Sequence, residues 1–245
     1  MNWEPEMRLS RKMALMGLCS RREADEYIAR GLVRVNGQIA RLGQKVADGD
    51  SVTLQKEAER LQSRRVTVIL HKPLGYVSGQ AEDGYRPARV LIRPENRWRG
   101  DVSPLRFSPS MLKNLVPAGR LDINSTGLLV LTQDGRVARG LIGETSDVDK
   151  EYIVRVSGAV TPQALQRLRC GLRLDGERLL PAVVREMEPG LLNFTLRQGK
   201  KRQIRRMCAA VGLDVTSLKR VRIGKIRLAS LPLGQWRFLR ENEKF

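Results

Sequence analysis

Apolar residues along this chain recur at two spacings, and the change of spacing divides it. Ser20 and Glu23 read as a capping box ahead of a helix that carries Ala24, Tyr27 and Ile28 on one face, with Gly31 as its stop. The period then falls to two at Val33 and Val35. Asn36-Gly37 marks a hairpin turn, and Asp48-Gly49 marks another before Ser51 to Leu54. Two short helices followed by small strands predict an αα-β unit over residues 1–60. KEAERLQSRR, residues 56–65, is polar and charged and reads either as a linker or as a solvated helix end.

From Val66 onward the pattern changes. VTVILH (66–71) predicts a strand, broken by the turn Lys72-Pro73-Leu74-Gly75. The apolar run Leu128 to Leu131 predicts a buried strand. Glu151 to Ser157 alternates, with Tyr152, Val154 and Val156 sharing a face. Thr161 caps a helix that opens on Pro162 and stops at Gly171. LLNFTLRQ (191–198) predicts a strand, and Gln203 to Val211 a helix ended by Gly212, with Ile204, Met207, Cys208 and Val211 inward. Val215 to Ile226 reads as further strands. Mixed elements with few crossovers predict an α+β class with a mixed, mainly antiparallel sheet over residues 66–245.

Charge narrows the partner. The 45 Lys and Arg residues exceed the 26 Asp and Glu, for a formal net charge of +19. Such an excess points to a polyanion, with nucleic acid ahead of an anionic membrane surface. No apolar run reaches the ~20 residues of a membrane span, and MNWEPEMRLS lacks the apolar core of a secretory signal. Cys19, Cys170 and Cys208 have neither disulfide nor zinc spacing and read as core filler. A reduced, cytoplasmic protein is expected. A single histidine, His71, argues against a metal centre, and no cofactor motif is present. Basic residues gather on the first helical part, at Arg8, Arg11, Lys12, Arg21 and Arg22. Eleven more, against the one acid Asp214, lie between Arg197 and Arg227. Residues 80–118, rich in Arg, Pro and Asn and weakly periodic, are expected to be a mobile insertion near RNA.

One acid stands out. In GRLDINSTGLLVLTQDG (119–135), Asp122 precedes the buried run, where a carboxylate loses water unless a cation or hydrogen bonds hold it. A turn residue, a salt-bridge partner and a catalytic group all fit. Arg202, Arg205 and Arg206 on the short apolar helix cannot all face solvent, so an inward arginine paired with Asp122 is expected. Such a pair adds little stability, which makes chemistry the better reason to keep it.

GRLDINSTGLLVLTQDG, KEYIVRV and LRQGKKRQIRRMCAAVG together resemble the three signature segments of the RsuA/RluB/RluE/RluF family of ribosomal-RNA pseudouridine synthases. RLSRKMALMGLCSRREADEYIARGLVRVNG resembles the S4 RNA-binding domain that these enzymes carry, and SRREAD and PLGQW lean towards the RluF type. The resemblance implies Asp122 as the catalytic aspartate, Tyr152 as the residue stacked on uracil, and Arg205 as the partner of the aspartate. It implies Arg120 as a holder of the flipped nucleotide, Leu196 as an apolar wall against the base, and Gln203 and Ile204 as the rest of the QIRR segment. Lys72 begins the first conserved turn; His71 stands there where asparagine is more common. Arg202 and Arg206 complete the expected RNA contacts.

The implied reaction breaks the N1–C1′ bond of uridine, rotates the base and forms a C5–C1′ bond, with no cofactor. Asp122 acts as nucleophile or stabilises charge at C1′. A 23S target and a monomer are the expectations; action on 16S RNA or tRNA, or a non-catalytic S4-type RNA-binding or ribosome-assembly role, are the alternatives.

Overall fold

The computed structural model describes residues 6–143 and 146–245; the reading of the first five residues lies outside them. The first unit begins with helices α1 (Leu9–Leu15) and α2 (Arg21–Ala29). The capping box is present: the Ser20 hydroxyl accepts from Glu23 N, and the Glu23 carboxylate accepts from Ser20 N. Strands β1 (Val33–Val35), β2 (Gln38–Ile39) and β3 (Val52–Leu54) form a small antiparallel sheet in the order β2-β1-β3. Asn36 and Gly37 both take the left-handed backbone (φ 49° and 81°) that the tight hairpin between β1 and β2 requires. Leu9, Met13, Ala24, Tyr27, Ile28 and Val33 build a core of its own.

Of the two readings of residues 56–65 the helical one holds: they form α3 (Lys56–Ser63), but as a packed helix and not only a solvated end. Its apolar content is low, but Ala58 and Leu61 fall three apart and pack on that core, while Gln62 donates to the Leu18 carbonyl. Composition left a linker open because a helix this short needs only one narrow buried stripe.

The larger unit is built on nine strands of one sheet among the described residues. They are β4 (Thr67–Lys72), β5 (Val116–Pro117), β6 (Thr126–Thr132), β7 (Lys150–Ser157), β8 (Val183–Glu188), β9 (Leu191–Leu196), β10 (Asp214–Ile223), β11 (Ile226–Arg227) and β12 (Trp236–Phe238). The spatial order is β8-β9-β7-β10-β6-β4-β12, with β11 paired to β10 and β5 to β6. Pairing is antiparallel except between β6 and β10. Helices α5 (Pro162–Arg169) and α6 (Gln203–Ala209) cover one face, burying Leu168, Ile204, Met207 and Cys208 against Tyr152, Val154 and Val156. Helix α4 (Gly135–Ile142), which the periodicity did not suggest, covers the other face through Leu141.

Residues 80–118 are a built segment of loops and single turns, not a loose insertion. Ala88, Leu91, Ile92 and Leu115 are buried in the main core. The segment also covers the edge strand β12. Trp98 N donates to Trp236 O (2.8 Å), Trp236 Nε1 donates to Arg93 O (2.8 Å), and Phe238 N donates to Asp101 (3.2 Å). Arg97 lies over the Phe238 ring at 5.0 Å. Covering an edge removes the unpaired backbone groups that invite association, and this needs side chains at irregular intervals. That is why no period betrays it.

The two units are joined directly. Glu23, already in the capping box, also accepts from Gly135 N at the start of α4 and pairs with Arg65. Arg65 donates in turn to Tyr27 Oη (3.0 Å) and Gln133 O (2.8 Å). Cys19 and Cys208 are buried, with burial pushing their thiols up to about 11 and about 12. Cys170, expected as core filler, is exposed at the end of α5.

Candidate active site

The Asp122 loop lies between β5 and β6 and is fixed from several sides. Ser125 N donates to Asp122 O (3.0 Å), closing a turn. Ser78 Oγ donates to Leu121 O and accepts from Leu121 N, both at 2.8 Å. Gly75 N donates to Ile123 O (3.0 Å), so the Lys72–Gly75 turn supports the loop through its backbone. Asp122 itself is half-buried.

Arg205 does not form the expected contact pair with Asp122. Nη2 donates to Asn124 O (2.7 Å) and Nη1 to Val215 O (3.0 Å). The Asp122 carboxylate acts on it through space. Burial first, then Arg202, disfavours the charged guanidinium, and Asp122 offsets them. The arginine therefore ties helix α6 to the backbone of the Asp122 loop. A side chain that reaches one carbonyl on a loop and one on a strand occupies both its terminal nitrogens without a carboxylate, which a single sequence cannot reveal.

Lys72 is the second cation near the acid. It is completely buried, its ammonium donates to Pro73 O (2.8 Å) and Tyr76 O (2.9 Å), and burial pushes its pKa down to about 8. Asp122 again opposes that shift. Direct RNA contact by Lys72 does not fit this burial. Lys12 is corrected likewise: its ammonium donates to Ala47 O, Asp48 O and Asp50 O at 2.6, 2.8 and 2.9 Å. Leu196, Gln203 and Ile204 are buried too, with Gln203 Oε1 accepting from Lys200 N (3.0 Å). Arg206 pairs with Asp175 (2.6 Å), Arg202 is exposed in a left-handed conformation (φ 50°), and Arg120 is 79% exposed, near Glu82 (3.7 Å). Arg8, Arg11, Arg21 and Arg22 remain exposed.

Tyr152 lies on β7, 9% exposed, and its ring faces the guanidinium of Arg220 on β10 at 6.0 Å. The start of β7 is clamped by Arg222, which donates to Glu151 (2.6 Å) and to both oxygens of Asp149 (2.9 and 3.0 Å). His71 has a structural role: Nδ1 lies 2.8 Å from Leu231 O, and burial lowers its pKa. Sequence reasoning singled out neither Ser78 nor Arg220. LKRVRIG reads as an ordinary basic strand, and only pairing on both sides turns Arg220 inward. A cleft of about 780 Å³, lined by Leu15, Arg136, Arg139, Asp147 and Lys225 among others, reaches Asp149 and Arg222 of the β7 clamp but includes none of Asp122, Tyr152, Arg205 and Arg220.

The loop geometry around Asp122, with Tyr152 on β7 across the intervening strand β10, occurs in a chain that matches a known family model. Residues 66–210 match the model described as RNA pseudouridylate synthase, and residues 7–52 match the S4 domain model. The chain belongs to the RNA pseudouridylate synthase family. The dual-specificity RNA pseudouridine synthase RluF of Escherichia coli K12 is 35% identical over 246 residues, covering 98% of this chain and 78% of that protein. The ribosomal large subunit pseudouridine synthase B of Bacillus subtilis is 31% identical over 244 residues, covering 96% and 93%. A crystal structure of a pseudouridylate synthase superposes with a TM-score of 0.66 at 26% identity, covering 96% of each chain. This synthase is thus an isomerase with an RNA substrate and an S4 module. Among its described residues, no helix is long and apolar enough to cross a membrane.

Proposed function

We propose that this synthase converts a specific uridine of ribosomal RNA, in the 23S molecule, to pseudouridine. The observation that carries the reading is a half-buried Asp122 in a loop held by cationic side chains, on a chain with excess positive charge. The names of the two relatives given above, a dual-specificity RNA enzyme and a large-subunit enzyme, support the target.

A uridine inside a helix must leave the stack to reach Asp122, at a cost of a few kcal/mol. Phosphate contacts from Arg8, Arg11, Arg21 and Arg22 on the S4 module, and from the exposed Arg120 and Arg202, offset that cost. Tyr152 offers a stacking face, worth roughly 1–3 kcal/mol for one base. Asp122 then acts at C1′ as the N1–C1′ bond breaks. The base turns, C5 bonds to C1′, the C5 proton is lost and N1 gains one. No atom is imported. Arg205, bonded to Asn124 O of the Asp122 loop, and Lys72, on the turn whose Gly75 N–H supports that loop, place positive charge beside the acid. The protein acts as a cytoplasmic monomer.

The test is a pseudouridine map of all cellular RNA with and without the gene. Loss of a 23S position is expected; loss confined to 16S RNA or tRNA would move the target, and an unchanged map would overturn the reading.

A further inference from the structure

We propose that Arg220 is a positioning residue of the synthase site, holding the Asp122 loop and the Tyr152 ring in fixed register. The inference rests on the roles proposed above for Asp122 and Tyr152 and adds a residue to them.

Arg220 stands where three strands meet. On β10 it is opposite Gly127 of β6 and opposite Tyr152 of β7. The seam is tight: a Cβ at Gly127 would lie 2.2 Å from Arg220 O, and Gly127 has φ +114°. The side chain, 3% exposed, connects all three parts. Nε donates to Leu128 O (2.8 Å), at the start of the buried run. Nη1 donates to Arg120 O (3.3 Å), two residues before Asp122. The guanidinium faces the Tyr152 ring at 6.0 Å.

Stability does not account for this residue. Nη2 is buried with no hydrogen-bond partner, and an unmet buried donor opposes folding. Among the described residues four buried side-chain polar atoms lack partners, and three of them surround this loop: Ser125 Oγ, Arg205 Nε and Arg220 Nη2. A seam built only to fold would carry an apolar side chain at 220. A guanidinium does what no apolar chain does, since it holds two carbonyls of the β6 segment through separate nitrogens while lying over an aromatic ring on the strand opposite. Displacing a reacting group by about 1 Å costs roughly a hundredfold in rate.

The test uses the full chain carrying Arg220→Met or Arg220→Lys, with total RNA from cells lacking the gene as substrate. Pseudouridine is followed in single turnover, with RNA affinity and urea unfolding measured in parallel. Arg220→Met should keep its unfolding midpoint and RNA affinity near the parent's while the rate falls about a hundredfold. Arg220→Lys, which keeps the charge but not the fork, should recover part of that loss and stay below the parent. A merely structural role would lower midpoint, affinity and rate together, and that pattern overturns the proposal. So does a parental rate in either folded variant; if Arg220→Met fails to fold, Arg220→Lys decides. No product from the parent, or full activity in Asp122→Asn, would remove the reading beneath the inference, and the inference with it.

Discussion

Asp122 and Lys72 sit on neighbouring turns and carry opposite risks. Asp122→Asn keeps size and hydrogen-bonding atoms but removes the charge. We expect a folded protein with near-parental RNA affinity and no pseudouridine; chemical mapping of RNA treated with the variant checks this, and undiminished product would refute a catalytic carboxylate. Lys72 has a folded-state pKa of about 8, below that of an unfolded lysine. Between those values the unfolded chain binds the extra proton, so the folded state gains stability as pH rises through that window. Below pH 8 the cost of burying the charge is fully present. The stability of the parent relative to Lys72→Met should therefore rise by about 2 kcal/mol between pH 7.5 and 9.5. Urea unfolding at several pH values measures it, and a flat difference would mean that Lys72 is not held at a lowered pKa.

Among the elements, the join between α2 and α4 is the most demanding. The Glu23 carboxylate serves a helix cap, a backbone N–H of the other unit and Arg65 together. Gly135 is required by close approach: a Cβ there would lie 2.1 Å from Ser20 Cβ and 2.6 Å from its hydroxyl. Gly135→Ala should lower stability by about 1–3 kcal/mol, the usual cost of overpacking. It should also speed proteolytic cleavage after α3, at residues 64–66, where the chain passes from one unit to the other. Unchanged unfolding and cleavage would mean that the S4 module is seated loosely. Most elements were legible in the chain because period, caps and turn residues agree locally: the Ser20–Glu23 box, the Asn36-Gly37 turn and the Thr161 cap all lie where the residues indicated. The segment 80–118 was misread, and residues 56–65 stayed undecided between linker and helix, because their order comes from packing on distant partners.

For the molecule as a whole, the net charge of +19 sets how RNA binding responds to salt. Arg11, Arg21 and Arg22 are exposed, so changing all three to Gln should leave the fold intact. If each meets a phosphate, the slope of log affinity against log salt should fall in magnitude by up to about 3. A titration from low to moderate salt reads the slope, and an unchanged slope would mean that this face does not meet RNA. Lys12 would contribute nothing to such a series, since its ammonium is held by three carbonyls.

Local chemistry in the chain was enough to determine the class of fold, the anionic character of the ligand and the candidate acid, because those depend on residue type and short spacing. Only tertiary structure decided which cations are free and which are enclosed. It set Arg205 on two carbonyls, buried Lys72 and turned Arg220 beneath Tyr152. The physical reason is that a guanidinium or ammonium takes whichever acceptor lies within about 3 Å, and the fold decides which carbonyls those are: distant ones at Asn124, Leu128 and Arg120 for the two arginines, and those of its own turn for the buried Lys72.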